Sequence, residues 1–143
     1  MANVDDVAAA VLERTGEIDT WKLQKLVYYC QAWHLVWEDE PLFSERIEAW
    51  ANGPVVRSLY REHRGRYRVK TWSRGNPGNL KRRELSSILS VVDFYASKSG
   101  FELSALTHRE PPWKKARKGL EPKERSEREI TKASMVEYYG SLA

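Results

Sequence analysis

Leu23-Gln24-Lys25-Leu26-Val27-Tyr28-Tyr29-Cys30-Gln31-Ala32-Trp33-His34 reads LQKLVYYCQAWH. Leu23, Leu26, Val27, Cys30, Trp33, His34 and, one turn on, Trp37 fall on one face at helical spacing. Tyr28, Tyr29, Leu35 and Val36 carry apolar surface further round. A helix that is apolar over most of its circumference belongs in the middle of a fold. Asp19 is placed to cap it, so the helix is expected over about 20–37. The fold class that follows is mainly α: a single compact helical domain over residues 1–143, built on this central buried helix.

On the N-terminal side, Val4, Val7, Ala8, Val11 and Leu12 predict a helix over 4–14, with Asp5 and Asp6 favoured at its start and Gly16 at its end. On the C-terminal side, Pro41 closes a turn. Phe43, Glu45, Ile47 and Ala49 alternate with their neighbours and suggest a short extended segment to Trp50, the minor β element. Asn52-Gly53-Pro54 is turn punctuation, and Pro54 suits the first position of a helix running to about Glu62. Residues 64–80 read as loop, with a short strand expected over Arg66–Trp72. A helix over about 81–97 follows, with Gly100 as its stop. Phe101, Leu103 and Leu106 predict a short helix over about 101–108. Pro111 biases Glu110 to an extended backbone, so that helix must end, and another starts near Pro112. Glu110 then lies just ahead of a helix N-terminus, where negative charge is favoured. Residues 118–129 read as a charged, solvated run, and a helix over about 131–140 places Met135, Val136 and Tyr139 inward.

Composition narrows the function classes. A chain of 143 residues buries about 70% of its unfolded surface and needs neither disulfide nor metal. Its one cysteine, Cys30, has no internal partner, in keeping with a reducing cytoplasm. The first residues lack the basic and apolar regions of a secretory signal, and no run is long enough to span a membrane. A cytoplasmic location without membrane contact is the expectation.

Catalytic patterns are sparse. Cys30 and His34 are four apart on the most apolar face, where a thiol is inert. His108 and Glu110 sit in the proline corner, which explains them without chemistry. There is no C-x-x-C, so a four-ligand metal site is hard to assemble, and no phosphate-binding glycine loop or nucleophile elbow is present. No enzyme activity, cofactor or metal is expected.

The charge is uneven. Residues 1–50 carry four basic and ten acidic side chains, whereas residues 57–83 carry ten basic ones against Glu62 alone. Arg57, Arg61 and Arg64 recur on the outer side of the expected helix. Arg66, Arg68 and Lys70 line one side of the expected strand, near Tyr67 and Trp72. Basic charge interleaved with aromatics suits an acidic protein partner or a nucleic acid. The surface expected to touch a partner is Arg57, Arg61, Arg64, Tyr67, Arg68 and Trp72. The alternative is a nucleic-acid-binding regulator using the segment 57–83, although no helix-turn-helix, zinc finger or RNA-recognition motif is legible.

Four stretches in order carry a resemblance: Leu23–His34 (LQKLVYYCQAWH), Ile47–Val56 (IEAWANGPVV) with Leu59-Tyr60 after it, Leu103–Trp113 (LSALTHREPPW), and Met135–Tyr139 (MVEYY). From about residue 20 onward the chain resembles the Panacea-domain family, the SocA-like antitoxins also found as phage-associated proteins. The resemblance implies a small helical domain without enzymatic activity, acting as the antitoxin of a toxin-antitoxin system. Its partner would be a cognate protein toxin, bound directly. Some members of the family resemble adaptors that deliver the toxin to an AAA+ protease. The family's recurring residues, carried onto Leu26, Tyr28, Trp50, Gly53, Pro54, His108, Glu110 and Trp113, read as scaffold. The basic segment 57–74 lies outside that signature.

Overall fold

The computed structural model describes residues 2–143. These residues form a mainly α domain of seven helices with two small two-stranded sheets. Helix α1 (Val4–Thr15) is followed by the two-residue strand β1 (Ile18–Asp19) and the central helix α2 (Thr20–Glu38). A hairpin of β2 (Glu48–Trp50) and β3 (Gly53–Val55) leads into α3 (Arg57–His63) and then β4 (Arg68–Val69). Helices α4 (Arg82–Tyr95), α5 (Gly100–Arg109), α6 (Pro111–Ala116) and α7 (Lys132–Leu142) complete the chain.

The sequence pattern placed α2 in the middle, and it lies there. Helices α1, α4, α5 and α7 all pack on it, and every residue from Leu23 to Ala32 is buried. Asp19 caps its start by accepting from Lys22 N at 2.8 Å. Burial of so many positions takes Gln24, Lys25, Gln31 and His34 inside with the apolar residues. A buried polar group must find a partner or destabilise the fold by about 1–3 kcal/mol. The two glutamines find theirs in the irregular chain beside the helix. Gln24 accepts from Val56 N at 2.9 Å and donates to Val56 O at 3.2 Å. Gln31 accepts from Leu42 N at 2.7 Å and donates to Phe43 O at 2.8 Å. Each side-chain amide thus substitutes for a strand neighbour, and the segment 42–56 is fastened to α2 at both ends.

Several local expectations are corrected. Pro54 does not open a helix. It pairs with Ala49 inside the hairpin, and α3 begins only at Arg57. Gly53 takes φ +124°, which favours glycine, and this lets the tight turn at Ala51-Asn52 close. The extended segment before it shrinks to Glu48–Trp50. The strand expected over 66–72 shrinks to Arg68–Val69, whose partner is β1, with Ile18 opposite Val69. Gly100 does not stop a helix but starts α5. Ser99 caps that helix in a capping box with Glu102, while α4 has already ended at Tyr95. A Cβ at Gly100 would lie 2.6 Å from Asp19 Oδ1, so glycine is what lets the starts of α2 and α5 approach.

The charged run 118–129 is exposed for most of its length but does not float. Ala49 N donates to Arg128 O, and Ile130 N to Ile47 O, both at 2.8 Å, so the chain near 128–130 extends the hairpin. The buried Arg117 anchors the loop before it, donating to Ala49 O, Glu121 O and Glu124 O at 2.7–3.0 Å.

The proline corner is as expected in kind. Glu110 ends α5 and precedes α6, with Pro111 in the first turn of α6. Its carboxylate, however, makes no capping bond. It turns inward, where Tyr29 and Tyr139 donate to Oε1 at 2.6 and 2.8 Å.

Candidate partner-binding groove

Two adjoining clefts share Trp50, Asn52, Tyr60 and Arg64. The first, about 330 Å³, lies between the start of α2, the hairpin and the end of α3. Trp21, Gln24 and Lys25 come from α2, Trp50 and Val55 from the hairpin, Tyr60 and His63 from α3, and Arg66 and Tyr67 from the loop beyond. The second, about 570 Å³, continues past Trp50 to Arg57 and the loop carrying Lys123, Arg125 and Glu127. Together they form one groove with aromatic walls and a rim rich in cations.

The hairpin is braced from behind. Trp113 Nε1 donates to Trp50 O at 2.8 Å, and the His108 ring stacks on Trp113 with centroids 4.1 Å apart. Trp50 Nε1 donates to Glu48 at 2.8 Å, and its ring meets Tyr60 edge-on. Arg57 pairs with Glu48 at 2.9 Å and reaches Glu127 as well. Burial alone would raise the Glu48 carboxyl, but hydrogen bonds from Arg57 and Trp50 outweigh it and hold it below its ordinary range.

The floor is polar. Gln24, held by Val56, donates to His63 Nε2 at 3.0 Å, so that nitrogen carries no proton of its own. Burial depresses the His63 pKa, and the neutral ring suits this bond. Beside it lies Lys25, only 2% exposed. Its ammonium donates to Pro54 O at 3.2 Å. Burial pulls its pKa down to about 8, partly countered by Asp19. Gly53 leaves room for this side chain, because a Cβ there would sit 2.6 Å from Lys25 Cε.

The six residues expected at a contact surface divide. Arg64 and Tyr67 line the first cleft, and Arg57 and Arg64 the second. Arg61 is exposed on α3 beside them. Arg68 pairs with Glu17 at 2.8 Å on the β1 side. Trp72 is 5% exposed, with Nε1 donating to Asp5 at 2.9 Å. It is a core residue in the loop after β4 that seats this loop on α1 through its bond to Asp5. Sequence reasoning missed Trp21, Lys25, Tyr60, His63, Lys123 and Arg125. The one signal available for Lys25 was a charged residue inside an otherwise apolar helical run.

The residues read as scaffold do interlock. Leu26 and Tyr28 are buried, Gly53 and Pro54 shape the hairpin, Trp113 with His108 stacked on it ties the corner to the hairpin, and Glu110 ties the corner to α2 and α7. Trp50 has a second place, as a wall of both clefts. The residues weighed for catalysis do not line the groove. Cys30 is fully buried, and burial pushes its thiol pKa up. His34 bonds to Ser87 at 2.8 Å. Among the described residues no cluster of His, Cys, Asp or Glu is arranged to hold a metal ion, and no helix is long and apolar enough to cross a membrane.

The family model of the SocA-like antitoxin, Panacea domain, matches residues 23–114, well over half of the chain. The chain belongs to that family. The Panacea match takes in Lys25, Trp50, Tyr60, His63, Arg64 and Tyr67, so most of the groove lies inside the domain, whereas α1, α7 and the Lys123–Glu127 loop lie outside it. No curated protein and no solved structure matches.

Proposed function

We propose that this protein is an antitoxin that neutralises a cognate protein toxin by binding it directly, and that it does so without catalysis. The observation that carries the reading is the open groove, walled by Trp21, Trp50, Tyr60 and Tyr67 and rimmed by Arg57, Arg64 and Arg66, inside a Panacea domain. Aromatic and arginine side chains are the residue types that dominate binding energy at protein interfaces. A standard interface buries about 1,600 Å² in total, so the groove would be the centre of a larger contact. Cys30, His34 and Glu110 are engaged in the interior, away from the groove, which supports a surface that binds.

The test is co-expression with the adjacent reading frame. The antitoxin is expected to restore growth and to co-purify with the toxin. The rim variant R61E/R64E is expected to lose at least about tenfold in affinity through reversed electrostatics, with stability changed by no more than about 0.5 kcal/mol. Unchanged affinity in that variant removes α3 from the contact. A toxin level that stays constant during rescue indicates occlusion, and one that falls indicates delivery to an AAA+ protease.

A further inference from the structure

We propose that the first cleft is a carboxylate-binding pocket, in which Lys25 receives an acidic side chain of a protein partner whose flanking apolar residues rest on Trp21 and Tyr67. That the partner is a protein rests on the antitoxin reading. The demand for a carboxylate rests on the cleft itself.

Lys25 is a buried ammonium with three donors and a single acceptor, Pro54 O. No carboxylate among the described residues lies within ion-pair reach of it, and Asp19 acts on it only through space. An unpaired buried charge destabilises a fold, and an apolar side chain of the same length would fill the space without that penalty. The lining of this cleft contains no Asp or Glu, while His63, Arg64 and Arg66 add positive or neutral polar groups. The pocket is thus arranged for an anion that the chain does not supply.

The occupant is a side chain and not a phosphodiester. Lys25 lines the cleft but is only 2% exposed, so the group that meets it must be a slim terminal one, whereas a nucleic-acid phosphate carries sugar on both sides. The cations that would track a phosphate backbone are partly spent within the fold: Arg57 on Glu48 and Glu127, Arg68 on Glu17. Trp21 and Tyr67, 42% and 71% exposed, both line the cleft and offer apolar surface to flanking residues.

The probes are a short capped peptide with two glutamates between tryptophans, the same peptide with glutamines, and a short single-stranded oligonucleotide. Each is titrated calorimetrically into the full chain. The glutamate peptide is expected to bind at least about tenfold more tightly than the glutamine peptide, the worth of one charge-assisted hydrogen bond. K25M is expected to stay folded and to bind both peptides alike. In R64E, which reverses a cation lining the same cleft, the preference for the glutamate peptide is expected to shrink, and an undiminished preference overturns the proposal. The proposal is overturned if the two peptides bind wild type equally, if K25M keeps the preference, if the glutamate peptide does not bind, or if the oligonucleotide binds more tightly. No toxin enters these titrations. Growth rescue that fails while the carboxylate preference holds would overturn the antitoxin reading and leave the pocket standing.

Discussion

Lys25 shows how one residue can be a burden to the fold and an asset to a site. Burial lowers its pKa from 10.5 to about 8. The unfolded chain therefore holds a proton that the folded chain has released between about pH 8 and 10.5. Stability must then rise with pH across that window, since the unfolded state binds more protons. Below about pH 8 the full penalty of the buried ammonium is present, of order 3 kcal/mol from the size of the shift. K25M is expected to be the more stable protein at pH 7 by up to that amount, and the gap should close as pH approaches 10. Denaturant unfolding of the two proteins at both pH values measures it. The comparison between them cancels every other titrating group, because those groups are the same in both proteins. A gap that does not change with pH would mean that Lys25 is not charged in the folded state near neutrality.

At the scale of elements, α7 is held by a tyrosine–carboxylate latch. Tyr139 donates to Glu110, so Tyr28, 3.0 Å from the Tyr139 hydroxyl, donates to Tyr139 in turn. Burial raises the Glu110 pKa against the pull of its two phenol bonds. An acid whose folded pKa is raised takes stability away as pH climbs from its unfolded to its folded value. Glu110→Gln keeps an acceptor for both phenols without the charge. It is expected to match or exceed wild type in melting temperature at pH 7 and to lose the acid-side pH dependence. Glu110→Ala strands two buried hydroxyls and is expected to lose about 2–4 kcal/mol. Thermal melts across pH 4–8 distinguish the two outcomes. The helices of this latch were legible in the sequence because Leu23, Leu26, Val27 and Cys30 in one, and Met135 and Tyr139 in the other, recur at helical spacing, and Asp19 and the proline corner mark ends. The strands were not, because β1 to β4 run only two or three residues and have no period to read. Their positions are set by side chains distant in sequence, Gln24 on Val56 and Arg117 on Ala49. Pro54 misled for the same reason: its local preference fits a helix start, but fastening to α2 fixed it in a strand. The site was half legible. Arg57, Arg64 and Tyr67 stood out by charge and pattern, whereas Trp21, Lys25 and His63 join them only through the folding of α3 against α2.

At the scale of the whole molecule, the uneven charge of the sequence is largely folded against itself. The basic middle meets the acidic first third: Arg57 pairs with Glu48, Arg68 with Glu17, Arg74 with Asp5, and Arg83 with Glu38 and Glu40. Exposed pairs of this kind add about 0–1 kcal/mol each, so their main effect is on the outward field and not on stability. The ten basic residues of segment 57–83 therefore do not present ten free charges. Of the residues in this segment without an ion pair, Arg64 and Arg66 line the first cleft and Arg61 is exposed on α3, while Lys70, Lys81 and Arg82 lie elsewhere on the surface. Duplex binding draws its affinity from many phosphate contacts, and a protein making about 6–10 of them loses roughly 10³–10⁵ in affinity between about 50 and 200 mM salt. Cations interrupted by paired carboxylates make a poor track for such contacts, whereas on the proposed reading those at the groove would steer an acidic protein surface toward it. In a gel shift at about 0.15 M salt, where charges beyond roughly 8 Å are screened, no duplex complex is expected. A complex whose affinity falls with salt at the slope of six or more displaced counterions would show that the ion pairs open on DNA, and would make the segment 57–83 a nucleic-acid surface instead.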